Sequence, residues 1–126
     1  MKWLTKEYIK EQSEISDETA LLCSIEHYDQ MLAARKKELL EGLKSRQVKI
    51  GSSHCALCLR HVTNGNCPMK ENCNYRCFAE WMRFYRLSPI FGKIYYDDTN
   101  LDWRKFRTAM REVRRVLQEK YDELYE

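Results

Sequence analysis

Five of the six cysteines in this 126-residue chain fall between positions 55 and 77, in the run CALCLRHVTNGNCPMKENCNYRC. Thiolates crowded into a polar stretch with glycine and asparagine point to a metal, because an ion organises a segment that has too little apolar surface to organise itself. The pair Cys55-x2-Cys58 lets two sulfurs of one tight turn reach a single ion, and Cys67, Cys73 and Cys77 follow within reach of a short loop. Four soft, anionic sulfurs suit zinc and close the site to water. The cluster holds one cysteine more than a four-coordinate site needs, and His54 and His61 are further donors beside it. Four thiolates also hold iron–sulfur clusters, a minority alternative that spacing does not exclude. Structural zinc is expected rather than catalytic zinc. A catalytic ion keeps an open position, commonly beside histidine and carboxylate, and the sequence has no H-E-x-x-H and no H-x-E followed by P-C-x-x-C.

The length suits one domain with a modest core, which a metal would complement. Charged residues at 33% and hydrophobic residues at 44% fit a helix-rich globule, and only four Gly and two Pro argue against a sandwich of many tight turns. No run of apolar residues is long enough to cross a membrane. The start, MKWLTKEYIKEQSE, has no apolar core of a signal peptide. The expected setting is therefore a reducing cytoplasm, where clustered cysteines favour metal over disulfides. The net charge of +3 is uneven: residues 1–33 are acidic, 34–93 basic and 94–126 nearly balanced. Four bound thiolates and their zinc would bring the whole to about +1, so net charge alone is a poor argument for nucleic acid.

Hydrophobic spacing predicts a mainly α fold. A short helix over Thr5–Gln12 carries Trp3, Leu4, Tyr8 and Ile9 on its apolar side. Ser16 is the expected N-cap of a second helix, with Asp17 and Glu18 in its first turn and Ile15 and Ala20 at the two positions of a hydrophobic staple. Leu21, Ile25, Tyr28, Leu32 and Leu39, extended by Leu40 and Leu43, predict that this helix is long and runs to about Ser45, with Arg35 interrupting the stripe and Gly42 a weak point. A further helix is expected over Arg76–Leu87, stopped by Ser88-Pro89, and Thr99 with Asp102 forms a start signal for the last one. That last helix is the most regular: Trp103, Phe106, Met110, Val113, Leu117, Tyr121 and Leu124 form one stripe, most simply buried antiparallel against the long helix. Residues 1–50 are thus a helical arm, 54–77 the cysteine metal loop, and 78–126 helices packing back on the arm.

Two features outside the cysteines carry possible function. Arg104, Arg107, Arg111, Arg114 and Arg115 lie within about 100° of one another on an ideal helix, beside its apolar face. They form an expected anion- or partner-binding face for DNA, RNA or an acidic protein, or else a solvated face of ordinary ion pairs. Lys36, Lys37, Lys44, Arg46 and Lys49 add basic charge. No helix-turn-helix, RNP or Cys2His2 spacing accompanies them. Tyr95, Tyr96, Tyr121 and Tyr125 are possible interface anchors. Cys23 and His27, four apart, lie opposite the Leu21–Ile25–Tyr28 stripe and are read as packing against another element or hydrogen-bonding locally rather than as a second site.

Ala20-Leu21-x2-Ser24-Ile25-x-His27-Tyr28, then Cys55-x2-Cys58, Cys67-Pro68 and Cys73-x3-Cys77-Phe78-x2-Trp81, resembles a pattern of small bacteriophage zinc-binding proteins: A-L-x2-S-I-x-H-aromatic, C-x2-C, C-P, C-x3-P-Y-x2-W. The resemblance spans residues 20–81. It implies that Cys77, standing where the pattern has proline, is the surplus thiol, so that the ligands are Cys55, Cys58, Cys67 and Cys73, with Cys77 the alternative fourth. The chain departs from the pattern at Asn64, where a further cysteine is expected. The resemblance implies a phage setting in a host-cell cytoplasm and no particular mechanism; from the residues, no enzymatic activity is expected. The expected function is a zinc-stabilised binding module that blocks a host macromolecule, such as a defence or transcription protein. A host protein is favoured over nucleic acid as partner, no membrane is involved, and a nucleic-acid-binding regulator is the alternative.

Overall fold

The computed structural model describes residues 2–48, 56–61, 68 and 103–126, without the side chains of Cys58, Lys105 and Ala109. The described residues are mainly helical. No helix among them is long and apolar enough to cross a membrane. The expected cysteine loop beyond His61, the helix over 76–87 and the start signal at Thr99 lie outside them.

Helix α1 (Lys6–Ile15) begins where Thr5, in extended backbone, accepts the Tyr8 N–H on its hydroxyl, and it runs past the expected end at Gln12. Ser16 alone connects it to α2 (Asp17–Ala33). Its backbone is fully extended, and its hydroxyl accepts the Thr19 N–H at 3.1 Å, so the predicted N-cap is present. The predicted staple is not. Ala20 is buried, but Ile15 is 62% exposed. With a one-residue connector Ile15 still belongs to the last turn of α1, which aims its side chain at water rather than back over α2.

The expected long helix is broken. Ala34 and Arg35 are extended, and a separate helix α3 (Lys36–Lys44) follows. Both new ends are satisfied, which makes the break stable. The Glu38 carboxylate accepts the Arg35 N–H at 3.1 Å, and the Leu32 carbonyl at the end of α2 accepts from the Arg107 guanidinium at 3.0 Å. The bend keeps Leu39, Leu40 and Leu43 buried in the core while Arg35 stays in water. Helix α3 ends in a Schellman turn: Gln47 N–H bonds to Gly42 O and Arg46 N–H to Leu43 O, with Arg46 at φ 62° where glycine is usual.

Gly42, expected as a weak point, is a packed position. It is buried, and a methyl group on it would lie 2.7 Å from Trp3 Nε1 and 2.8 Å from Val48 Cγ1. Gly42→Ala therefore sets a helix-propensity gain of about 1 kcal/mol against an overpacking cost of about 1–3 kcal/mol. We expect net destabilisation, read as a lower urea midpoint at unchanged slope. A raised midpoint would mean that Trp3 does not pack on α3.

α2 is the central helix. Ala20, Leu21, Cys23, Ser24, Ile25, His27, Tyr28 and Met31 are all buried, an arc of roughly 200° on the helical wheel. One side takes the last helix, α5 (Trp103–Tyr125), and the other side takes α1 and α4 (Ala56–His61). Three contacts show that α2 and α5 are antiparallel: Arg107 reaches Leu32, Arg114 reaches Asp29, and Tyr121 reaches Glu18. Phe106, Met110, Val113, Val116 and Leu117 fill the interface, with Trp103 and Tyr121 half-buried at its ends. Leu124, expected in the stripe, is 47% exposed. Tyr121 already stands opposite the first turn of α2, so the last residues of α5 overrun it.

Cys23 and His27 are buried on α2, as packing against another element requires. The Tyr8 hydroxyl donates to Glu26 at 3.3 Å, which places α1 on that side. The Gln30 side-chain amide ties down the chain start by accepting from Leu4 N–H and donating to Lys2 O.

Candidate functional site

The cysteine segment meets the core through α4. Within the expected cysteine loop over 54–77, residues 56–61 form a helix that includes Cys58. Ala56 and Leu57 are fully buried against α1 and α2. The polar side of the joint is built on Asp17, in the first turn of α2. Its Oδ1 accepts from Arg60 Nε at 2.7 Å and pairs with His61 Nε2 at 2.6 Å. Arg60 also donates to Ser13 O at 3.1 Å, so its fork bridges the end of α1 and the start of α2. Burial alone would raise the Asp17 pKa. The hydrogen bonds and positive charge of Arg60 and His61 outweigh it and hold the carboxyl below its ordinary value. Beside this joint Lys6, Lys10, Ser13, Glu14, Leu59 and Arg60 line an open pocket of about 390 Å³.

Of the expected zinc ligands, Cys55, Cys67, Cys73 and the alternative Cys77 lie outside the described residues, as does the side chain of Cys58. Among the described residues no three His, Cys, Asp or Glu side chains come together as a metal site. His61 is the one donor of the cluster whose surroundings are described.

The arginine face of α5 is placed in full, and it divides. Arg114 pairs with Asp29 at 2.8 Å, and Arg115 with Glu112 at 2.9 Å and with Glu119. Arg107 is half-buried, bonds the Leu32 carbonyl, and stacks its guanidinium 5.9 Å from the centre of the Trp103 ring. These three arginines build the α2–α5 seam and the α5 surface. Arg104 and Arg111 are exposed, and neither has an ion pair among the described residues. Lys36, Lys37, Lys44 and Arg46 are exposed on and after α3, while Lys49 lies outside the described residues.

Comparison with family models, with curated proteins and with solved structures finds no match. The chemistry of the site therefore stands on the residues alone. Among those residues, the contact of Asp17 with Arg60 and His61 was missed by sequence reasoning, which placed Asp17 only as a helix-dipole carboxylate. Nothing local marks a pairing across more than 40 positions. Tyr121 and Tyr125 lie 5.3 Å apart at the end of α5, Tyr121 donating to Glu18 and Tyr125 at 36% exposure. Tyr95 and Tyr96 lie outside the described residues.

Proposed function

We propose that this chain is a non-enzymatic, zinc-stabilised binding module of bacteriophage type that docks on a host protein and blocks it. The observation that carries the choice of a protein partner is the division of the arginine face. Three of its five members are engaged within the fold by Leu32, Asp29, Glu112 and Glu119, so the face offers phosphates little beyond Arg104 and Arg111. Duplex binding through two such contacts would have a salt slope near −2, a loss of only about tenfold between 50 and 200 mM salt, and such binding is weak. Against a protein, two exposed arginines at the rim steer encounter, and exposed Leu22, Leu124 and Tyr125 supply apolar contact.

The test is capture of partners from host lysate with and without nuclease. A protein partner is expected to survive nuclease, and joint replacement of Arg104 and Arg111 by Glu is expected to slow its association severalfold without changing helix content. Recovery of nucleic acid alone, lost on nuclease treatment and falling with salt by far more than tenfold, would replace this reading by that of a nucleic-acid-binding regulator.

A further inference from the structure

We propose that the open pocket between α1 and α4 is a docking site for an acidic segment of a partner protein, one that carries an apolar side chain between carboxylates. The inference rests on the protein-partner reading above and deepens it, by naming what the partner presents and where this chain receives it.

Floor and mouth of the pocket differ in chemistry. Lys6, Lys10, Ser13 and Glu14 fall within about 100° of one another on an ideal helix, so a single face of α1 forms one wall. Leu59 and Arg60 of α4, which packs against α1, form the other. Ser13 is buried and Leu59 half-buried, and these two make the floor. Lys6, Lys10 and Glu14 are exposed and stand at the mouth. The volume of about 390 Å³ falls within the range of about 300–1,000 Å³ typical of ligand clefts.

Charge selects the occupant. Lys6 and Lys10 have no ion pair among the described residues. Arg60 is committed elsewhere, to Asp17 at 2.7 Å and to the Ser13 carbonyl at 3.1 Å, so its charge is offset within the fold. The positive charge open to a ligand is therefore that of two ammonium groups one helical turn apart. Each sits on a flexible stem with three rotatable donors, which suits carboxylates that arrive on a mobile segment. A polynucleotide fits the same lining poorly, because Glu14 repels phosphates at the mouth and Leu59 offers them no partner. A peptide uses all of it: carboxylates on the lysines, an apolar side chain on Leu59, and a backbone N–H on Glu14. The pocket also adjoins the contact surface proposed above. Burial and the charges of Asp17 and Glu18 raise the Tyr125 phenol above its ordinary pKa and Arg60 opposes them, which places the exposed end of α5 near the same arginine.

The test titrates the full chain, purified without chelator, with an acetylated and amidated Glu-Leu-Glu peptide. The readout is NMR of the Leu59 methyls and of the Lys6 and Lys10 side-chain nitrogens. Saturable shifts at these groups are expected, with a Kd on the order of 1 mM. Gln-Leu-Gln should bind at least about fivefold more weakly, and Glu-Gly-Glu about threefold more weakly. Lys6→Gln combined with Lys10→Gln should weaken Glu-Leu-Glu binding by about fivefold or more. Both positions are exposed, and glutamine is as good a helix former as lysine, so the fold is kept. Lys36→Gln combined with Lys37→Gln removes the same charge from α3 and should leave peptide binding unchanged. Absence of saturable shifts at Leu59, equal binding of Gln-Leu-Gln, or displacement of the peptide by a duplex oligonucleotide overturns the docking site. Capture of nucleic acid alone from host lysate overturns the protein-partner reading beneath it, a result distinct from any peptide titration.

Discussion

Stripping the metal is expected to cost this protein more than any single substitution. Protein purified without chelator should hold one zinc per chain, and a strong chelator should lower its melting temperature and part of its helical signal. Structural zinc contributes an apparent 10–16 kcal/mol in small finger domains, as large as the whole stability of an ordinary domain at about 5–15 kcal/mol. The effect should be uneven. Helices α2 and α5 meet through Phe106, Met110, Val113 and Leu117 without any cysteine of the cluster, whereas α4 leads straight into it. The ordered loss should therefore begin with the docking of α4, followed by amide exchange along 56–61 before the α2–α5 seam opens. Elemental analysis that finds no metal would sink the prediction. Iron with visible charge-transfer absorption would instead favour an iron–sulfur cluster.

The second large effect belongs to Phe106. Its side chain is completely buried, with its ring stacked at 5.9 Å on Trp103, at the point where α5 meets the end of α2. Phe106→Ala removes a large buried ring and leaves a cavity that two rigid helices cannot close, at a cost of about 3–5 kcal/mol. For a chain of this length that is a fall in melting temperature on the order of 10–20 °C. Leu124→Ala is the matched control. It lies on the same sequence stripe, but at 47% exposure it should change stability by no more than about 0.5 kcal/mol. Equal effects for the two substitutions in chemical denaturation would mean that α5 does not pack on α2 as described.

The contrast between Phe106 and Leu124 shows how far the sequence was legible. The spacing of α5 named its apolar face and its antiparallel partner correctly, because a long helix with one stripe has one way to bury it. Spacing did not say where the partner ends, and Leu124 falls beyond the first turn of α2. The same limit explains the long helix that is in fact two. Leu32 and Leu39 are in phase for a continuous helix, whereas the Arg107 guanidinium on the Leu32 carbonyl and the Glu38 carboxylate on Arg35 N–H help to hold the break. The first of these contacts comes from a helix 75 positions away.

Local chemistry was sufficient wherever the deciding contact is local. Ser16 caps α2 through Thr19, three residues on, and any reader of S-D-E-T predicts it. The crowding of cysteines likewise belongs to the sequence, since short-range spacing is what lets several thiolates reach one ion. Tertiary structure alone decided the rest. It buried Cys23 and His27 between neighbouring helices, turned three arginines of an apparent anion face into parts of the α2–α5 seam and surface, and brought Asp17 onto Arg60 and His61. Side-chain periodicity reports which face of a helix is apolar. Which charge meets which is set by how those faces stack, and a carboxylate in the first turn of α2 acquires its partners only when α4 is laid across it.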